Sequence, residues 1–240
     1  MEWIDTVSPR ARARITGAVY LAYFVTAIGG EVFLQQAGVS GLTPTGSDAA
    51  TLARNLDSHQ GVYQAGIALG LISTVLYVAV TSLFYLLFRP VSRTVALLAM
   101  AFGLVAMAVT AFGSVFEIAP LTILGTHSSS MSAQQLQVLA LTWFKIGDAV
   151  SSVSLVFSAF FQIAVGYLIV RSGFLPWIFG LLIGVAGVGW LTFLAPPLSS
   201  ALLTYLEVLG VLGEAPLLLW LLVMGVNSER WIQKANAASR

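Results

Sequence analysis

The chain has 240 residues, of which 58% are hydrophobic and only 9% are charged, and its formal net charge is +1. An average soluble domain carries about a quarter of charged residues, so this composition predicts an integral membrane protein. A net charge this small excludes a global basic or acidic field, and we expect no nucleic-acid partner. The absence of cysteine excludes disulfides, thiolate nucleophiles and cysteine metal sites.

Six apolar stretches are each long enough to cross a hydrocarbon core of about 30 Å, which takes about 20 helical residues. We therefore predict an all-α, polytopic transmembrane helical bundle that forms a single integral membrane domain over residues 1–240. The predicted spans cover about residues 15–34, 63–88, 95–118, 147–170, 175–195 and 202–226. The first span follows several arginines, as a signal peptide would, but its apolar run is too long, so we expect it to be retained.

The basic residues predict the orientation of the spans. If both termini are cytoplasmic, nine of the eleven basic residues lie on the inner side, while Arg54 and Lys145 lie on the outer side. This distribution satisfies the positive-inside rule. Trp177 and Trp231 then fall at the inner boundary, where an amphipathic ring prefers to lie.

Two helix starts are predicted on the outer side. After the first span, Ser47 or Asp48 can cap a short helix whose apolar residues share one side, which favours a helix along the outer surface. After the third span, Ser132 is followed three residues later by Gln135, the spacing of a capping box. The helix that begins there is predicted to continue towards Val170.

The last span carries two carboxylates, Glu207 and Glu214, and a proline, Pro216. The two acids are seven positions apart, so on a helix they project from one face, two turns apart. An acid near the membrane midplane costs roughly 2.5 to 3.5 kcal/mol on insertion scales, so we expect both acids to look inward. Pro216 has no N–H, and the carbonyl of Leu212 therefore loses its helical partner beside Glu214. We predict that Glu214 is a functional, protonatable group.

Further polar residues belong to the other spans. Glu31 and Glu117 end the first and third spans on the predicted outer side, and on the fourth span Asp148 and Gln162 keep to one helical face. Carboxylates in a poorly solvated site hold protons or bind cations. We predict an outward-facing acidic cavity, with Glu214 at its floor, whose candidate ligand- or proton-binding residues are Glu31, Glu117, Lys145, Asp148, Glu207 and Glu214.

Some of these residues have a structural alternative. Glu31 and Glu117 can be helix ends that are wetted at the interface, and Lys145 and Asp148 are spaced as a local ion pair. His59 and His127 could join the acids in a metal site, but no zinc-binding spacing is present, so we expect no metal and no cofactor. The nucleophile elbow, the Walker loop and the dinucleotide fingerprint are all absent from the sequence, and whether the protein is an enzyme stays open.

Several segments carry a family resemblance. They are GSDAATLARNLDSHQGVYQAGIAL, YLLFRPVSRTVALLA, GYLIVRSGFLPWIFGLLIGVAG and GEAPLLLWLLVMGVNSERW, of which RSGFLP and the closing GVN with RW are the most specific. In this order, from about Arg10 to Trp231, the chain resembles the bacterial polytopic membrane proteins grouped as domain of unknown function 4386. The resemblance implies a six-helix, multi-pass protein of the bacterial inner membrane. It implies no established activity, substrate or cofactor.

Three functional hypotheses follow from these observations. The first is that the acidic cavity binds or transports a small polar or cationic solute, or protons. The second is an accessory or sensory membrane protein that acts through a membrane-protein partner. The third is an intramembrane enzyme that uses a protonated carboxylate, Glu214 or Asp148, as a general acid on a lipid or isoprenoid. The partners that we expect are the lipid bilayer, a small-molecule or lipid ligand, and a second membrane protein.

Overall fold

The computed structural model describes residues 7–39, 48–126 and 131–238, and within these ranges the regular structure is helical. A short 3-10 helix, Leu191–Leu194, follows the sixth α-helix. The predicted all-α fold class is confirmed. The α-helices are α1 Pro9–Gln36, α2 Ala49–Ser58, α3 Gln60–Phe88, α4 Arg93–Leu124, α5 Ala133–Ser172, α6 Trp177–Trp190, α7 Pro196–Val223 and α8 Ser228–Ala238.

Helices α1, α3, α4, α5 and α7, and α6 with its 3-10 extension, are long and apolar enough to cross a membrane. Their exposed side chains include large apolar residues: Val75 is 70% exposed, Val25 62% and Phe112 59%. Contact between so much apolar surface and lipid is favourable, whereas its contact with water is unfavourable. The protein is therefore a multi-pass membrane protein, as the composition predicts.

The observed helices extend most of the predicted spans at their ends. The last helix begins at Pro196 and ends at Val223, whereas the predicted span covers residues 202–226. It ends there because Gly225 adopts a φ of 70°, a left-handed conformation that favours glycine. The predicted capping box is confirmed, since the backbone N–H of Ser132 donates to Gln135 Oε1 at 2.8 Å at the start of α5.

The predicted short helix is confirmed as α2, and its position on the outer side stays a prediction. The Asp48 side chain caps it, because Asp48 Oδ1 accepts a hydrogen bond from the backbone N–H of Thr51 at 2.7 Å. The alternative cap, Ser47, lies outside the described residues. Leu52 and Leu56 are buried, so the apolar side of α2 packs against protein, as its spacing indicates.

Helix α8, which is too short to span a membrane, was not predicted from the sequence. Its first turn is capped by Asn227, whose side-chain oxygen accepts a hydrogen bond from the backbone N–H of Arg230 at 3.1 Å. The capping residue and the amphipathic turn that follows it were visible in the sequence.

The described residues form two compact units, which are interleaved along the chain. Unit one takes the described residues within Met1–Ala22, Leu76–Met107 and Val153–Arg240, and unit two takes those within Tyr23–Val75 and Ala108–Ser152. Helices α6 and α7 belong wholly to unit one, and α2 belongs wholly to unit two. The expectation of a single domain stays a prediction.

In unit one, glycine permits close helix contacts. A Cβ atom on Gly180 of α6 would lie 2.6 Å from the carbonyl oxygen of Gly166 on α5, so a side chain cannot be accommodated there. A Cβ atom on Gly17 of α1 would overlap the backbone nitrogen of Leu222 on α7. Small residues of this kind allow membrane helices to approach closely. The second contact brings α1 beside α7 one turn from Tyr20.

Unit two has a separate core. Its buried apolar residues are Ala37, Val39, Leu52, Leu56, Tyr63 and Ile67. The Tyr63 hydroxyl donates to the backbone carbonyl of Glu117 at 2.7 Å, three residues before Pro120 inside α4. The side-chain amide of Asn55 donates to the carbonyl of Gly38 at 3.0 Å and ties α2 to the end of α1.

Candidate functional site

The Glu214 site brings together three helices of unit one. Glu214 of α7 is 7% exposed, and Tyr20 of α1 and Gln162 of α5 are buried with it. The Tyr20 hydroxyl donates a hydrogen bond to Glu214 Oε2 at 2.6 Å. The Gln162 amide donates through Nε2 to Glu214 Oε1 at 2.7 Å. Both carboxyl oxygens are therefore held by side chains from other helices.

The sequence of α7 places Glu214 on the buried side of that helix. Gly213 precedes it in the chain, and a Cβ atom there would come within 2.8 Å of the Ala186 Cβ on α6, so the two helices pack closely at Gly213. Pro216 lies inside α7, as predicted. Because proline lacks an N–H and clashes with the preceding turn, α7 is weakened as a helix immediately beside Glu214.

Aromatic rings enclose the site on the side of α1. The Tyr20 ring packs edge-on against Tyr77, with ring centroids 6.4 Å apart, and against Phe84, at 5.6 Å. Phe161, the neighbour of Gln162, contacts Tyr77 with centroids 5.6 Å apart. Edge-to-face packing is a favourable geometry for aromatic pairs, and Tyr20 is buried within it.

The two groups that bind Glu214 are both neutral. Helix α1 contributes a tyrosine hydroxyl and α5 contributes an amide, while α6 packs apolar Ala186 against Gly213, the residue before Glu214. Tyr77 of α3 is a further titratable group, and it lies behind the Tyr20 ring. The site as described therefore supplies hydrogen bonds to Glu214 and no positive charge.

Gln162 has a second polar atom in the site. Its Oε1 is buried and has no hydrogen-bond partner among the described residues. A glutamine amide can donate through its nitrogen or accept through its oxygen, and which of the two faces a neighbour is assigned from the hydrogen-bond network. Gln162 can therefore pair with either form of Glu214, as a donor to the carboxylate or as an acceptor from the protonated acid.

Glu207 does not share the environment of Glu214. It is exposed, although Leu206 and Gly210 on either side of it are buried. The expectation that both acids look inward is therefore confirmed for Glu214 and wrong for Glu207. The seven-residue spacing nearly aligns the two acids, but the buried side of α7 passes through Leu206 and leaves Glu207 at its edge.

The other four predicted site residues belong to unit two. Glu117 is half-buried and interacts electrostatically with Glu31 and with Asp148, and exposed Lys145 acts on Asp148. We call Glu31, Glu117, Asp148 and Lys145 the acid group. Gln35 donates to Glu31 Oε1 at 3.1 Å, one helical turn along α1. A cavity that joins the acid group to Glu214 stays a prediction.

Sequence reasoning missed Tyr20 and identified Gln162 only as part of a polar helix face. The signal for Tyr20 was present, because a buried tyrosine hydroxyl within an apolar span must find a hydrogen-bond partner. The partner itself could not be read from the sequence, since Tyr20 and Glu214 are 194 residues apart. His59 is exposed, and His127 lies outside the described residues. Within the described ranges, His, Asp and Glu form no group of three that could hold a metal ion.

The helices and the Glu214 site define a class of protein, a multi-pass membrane protein with a hydrogen-bonded carboxyl buried between its helices. Residues 15–225 match the family described as Domain of unknown function (DUF4386), and the chain belongs to this family. The suspected resemblance is thereby confirmed. No curated protein and no solved structure matches the chain. Membership of the family assigns no activity to the chain, and a functional argument has to start from the site.

Proposed function

We propose that this protein is a proton-linked binding protein or carrier of the bacterial inner membrane, in which Glu214 holds and releases the coupled proton. The cargo is a small polar or cationic solute. The observation that carries the proposal is the pairing of buried Glu214 with two neutral groups, Tyr20 and Gln162.

The pairing favours a bound proton because burial destabilises the ionised form of a carboxyl group. An ionised carboxylate that leaves water loses its hydration, and neutral donors return only part of that free energy. A proton removes the charge and is small enough to reach a site whose oxygens are already hydrogen-bonded. The Tyr20 hydroxyl and the Gln162 amide can each donate or accept, so the site can bind Glu214 in both protonation states. This is the property that a reversible proton site requires.

The remaining features support a solute that is cationic or rich in hydrogen-bond donors. The acid group contributes three carboxylates and one basic side chain, Lys145, so its formal charge is negative when its members are ionised. Negative potential of this kind attracts cations. The weakened turn at Pro216 lets α7 bend beside Glu214, which is one way to couple proton release to a change in shape.

Two alternatives rank behind this proposal. An intramembrane enzyme that uses Glu214 as a general acid needs a lipid substrate to reach the carboxyl. Glu214 is only 7% exposed, and both its carboxyl oxygens are hydrogen-bonded. Asp148 is the other candidate acid, and it is half-buried beside Lys145. An accessory role requires a membrane-protein partner, whereas a proton site at Glu214 requires none.

Infrared spectroscopy of the purified protein tests the proton site. We expect the C=O stretch of a protonated, buried carboxyl in the wild type between about pH 5 and pH 7, where free glutamates are ionised. Glu214→Gln should remove this band. Glu207→Gln is the matched control, because it makes the same change on the same helix at an exposed position, and it should leave the band in place. A wild type without the band, or its persistence in Glu214→Gln, would contradict the proposal.

Thermal unfolding tests the solute. Choline and lysine serve as cationic probes, and succinate serves as the anionic control. A ligand that binds the folded protein raises its free energy of unfolding by RT ln(1 + [L]/Kd), which is about 2.7 kcal/mol at a concentration of 100 Kd, and the midpoint rises with it. We expect stabilisation by a cationic probe and none by succinate. Stabilisation by succinate alone would show that the solute is anionic and would overturn this half of the proposal.

A further inference from the structure

One end of unit one is strongly basic. It consists of residues 8–14, 87–93, 171–177 and 224–238, which we call the basic end. Glu229 is the acid described in these segments. The basic residues are Arg10, Arg12, Arg14, Arg89, Arg93, Arg171, Arg230 and Lys234.

Side-chain contacts hold these segments together. Arg230 donates to the carbonyl of Gly173 at 2.9 Å, and the indole N–H of Trp231 donates to the carbonyl of Leu87 at 2.8 Å. The Arg12 guanidinium lies 5.3 Å from the centre of the Trp231 ring, within the range of a cation–π contact. The RSGFLP and RW segments, which carry the most specific part of the family resemblance, are thus in direct contact.

Helix α8 has the character of a helix that lies along a membrane surface. It follows α7 after a short turn at Gly225 and is held to the ends of α3 and α5 by Arg230 and Trp231. Its Ile232 is 46% exposed, and Trp177 at the start of α6 is 61% exposed. Exposed apolar and aromatic side chains among basic ones are typical of helices in the plane of the lipid headgroups.

Two exposed guanidinium groups at this end are oriented by backbone carbonyls. Arg14 donates to the carbonyl of Val223 at 3.0 Å, and Arg230 donates to that of Gly173. A guanidinium has five N–H donors, so a single bond to a carbonyl fixes its direction and leaves further donors for an anion. Arginine held in this way is suited to bidentate binding of phosphate.

We propose that the basic end binds the headgroups of anionic phospholipids and prefers them to zwitterionic ones. Charge complementarity favours an anionic partner. The exposed side chains of Ile232 and Trp177 favour a lipid surface over a nucleic acid, whose phosphates offer no apolar layer. The proposal does not depend on the function assigned to Glu214.

Quenching of tryptophan fluorescence by brominated lipids tests this proposal. The full-length protein is placed in vesicles of phosphatidylcholine mixed with brominated phosphatidylglycerol, and in the converse mixture, to measure the relative affinity for the two lipids. The test variant combines Arg171→Gln with Lys234→Gln, two exposed positions with no described side-chain hydrogen bond. Arg54→Gln, which removes an exposed charge from α2, is the matched control.

We expect the wild type to bind phosphatidylglycerol more tightly than phosphatidylcholine. In the double variant, the ratio of the two affinities should fall by up to roughly fivefold for each charge removed. Arg54→Gln should keep the wild-type value. Equal affinity of the wild type for the two lipids would overturn the proposal, as would an equal loss in Arg54→Gln or an unchanged preference in the double variant. Equal unfolding midpoints in detergent show that a difference between variants does not arise from misfolding.

Discussion

The Glu214 site and the acid group contain the same functional group in opposite surroundings. Glu214 is buried, and both its oxygens are bound by neutral side chains from two other helices. In the acid group, three half-buried carboxylates interact with one another and with exposed Lys145. The first arrangement fixes a single carboxyl by specific hydrogen bonds. The second balances several charges that water can partly screen.

The difference shows that a carboxyl does not form a specific site merely because it lies within a predicted span. Glu207 and Glu214 lie on one helix, seven residues apart, yet one is exposed and the other is buried. A carboxyl becomes a specific site when neighbouring helices supply donors at hydrogen-bond distance. Four predictions test this distinction, from the largest expected effect to the smallest.

Removal of the Tyr20 hydroxyl should have the largest effect on stability. Tyr20→Phe leaves Glu214 Oε2 buried without its donor, which costs about 1 to 3 kcal/mol, while the ring contacts with Tyr77 and Phe84 are kept. Equilibrium unfolding in detergent measures the loss. Tyr205→Phe on α7, where the side chain is 74% exposed, is the control and should stay within about 0.5 kcal/mol of the wild type. Equal effects of the two substitutions would show that the Tyr20 hydroxyl contributes no more to stability than an exposed one.

The pH dependence of unfolding should identify Glu214 as the group that binds the proton. If the folded protein keeps a proton on Glu214 while the unfolded chain releases it above about pH 4.3, the folded state binds more protons, and stability falls as pH rises. The slope is at most about 1.4 kcal/mol per pH unit for one proton. We expect the midpoint of thermal unfolding to fall between about pH 5 and pH 7 in the wild type and in Glu207→Gln, and to be flatter in Glu214→Gln. Identical profiles in all three proteins would assign Glu214 a structural role.

The fold was largely predictable because hydropathy reports directly on membrane spans. All six spans were identified, and the caps at Asp48 and Ser132 are local patterns that involve residues three positions apart. The helix ends were less accurate. The turn at Gly225 and the early start at Pro196 depend on backbone geometry that a hydropathy window does not resolve.

The candidate site was predictable only in part. Glu214 could be singled out because an acid in an apolar span is costly and must be accommodated. Its partners could not, because the approach of α1 to α7 depends on Gly17 against Leu222, a contact between residues that are far apart in the sequence. The exposure of Glu207 has the same origin. A helical wheel gives the angle between two acids, and only the neighbouring helices decide which of them is covered.

The charges of the acid group should contribute less to stability than the Tyr20 hydrogen bond, and their contribution should depend on salt. Lys145→Gln removes the exposed basic side chain that acts on Asp148, and we expect a loss of at most about 0.5 kcal/mol at low salt, because water screens the field of an exposed charge. High salt should abolish the difference, whereas the effect of Tyr20→Phe should persist. Unfolding midpoints at two salt concentrations provide the measurement. A loss in Lys145→Gln that high salt leaves unchanged would show that the acid group is a second buried site.

The smallest effect is expected at Asp48, whose carboxyl is exposed, in contrast to the buried carboxyl of Glu214. Hydrogen bonds from Thr51 lower the pKa of Asp48 from its ordinary value of 3.8. Because the folded-state pKa is the lower one, the stabilisation of α2 is present above pH 3.8 and is lost as the pH falls through the folded value. Asp48→Asn should keep the cap and remove this pH dependence, and Asp48→Ala should fray α2 at neutral pH.

Amide hydrogen exchange at Thr51 and Leu52 measures that fraying directly, with the amides of α5 as an internal reference. We expect faster exchange in Asp48→Ala, an unchanged rate in Asp48→Asn, and no change in either variant at α5. The unfolding midpoint of the whole protein should not move, since the cap stabilises one short helix. A lower midpoint in Asp48→Ala, with exchange accelerated throughout unit two, would show that α2 is required for the core built on Leu52, Leu56 and Tyr63. An exposed carboxyl would then have a larger structural role than its surroundings indicate.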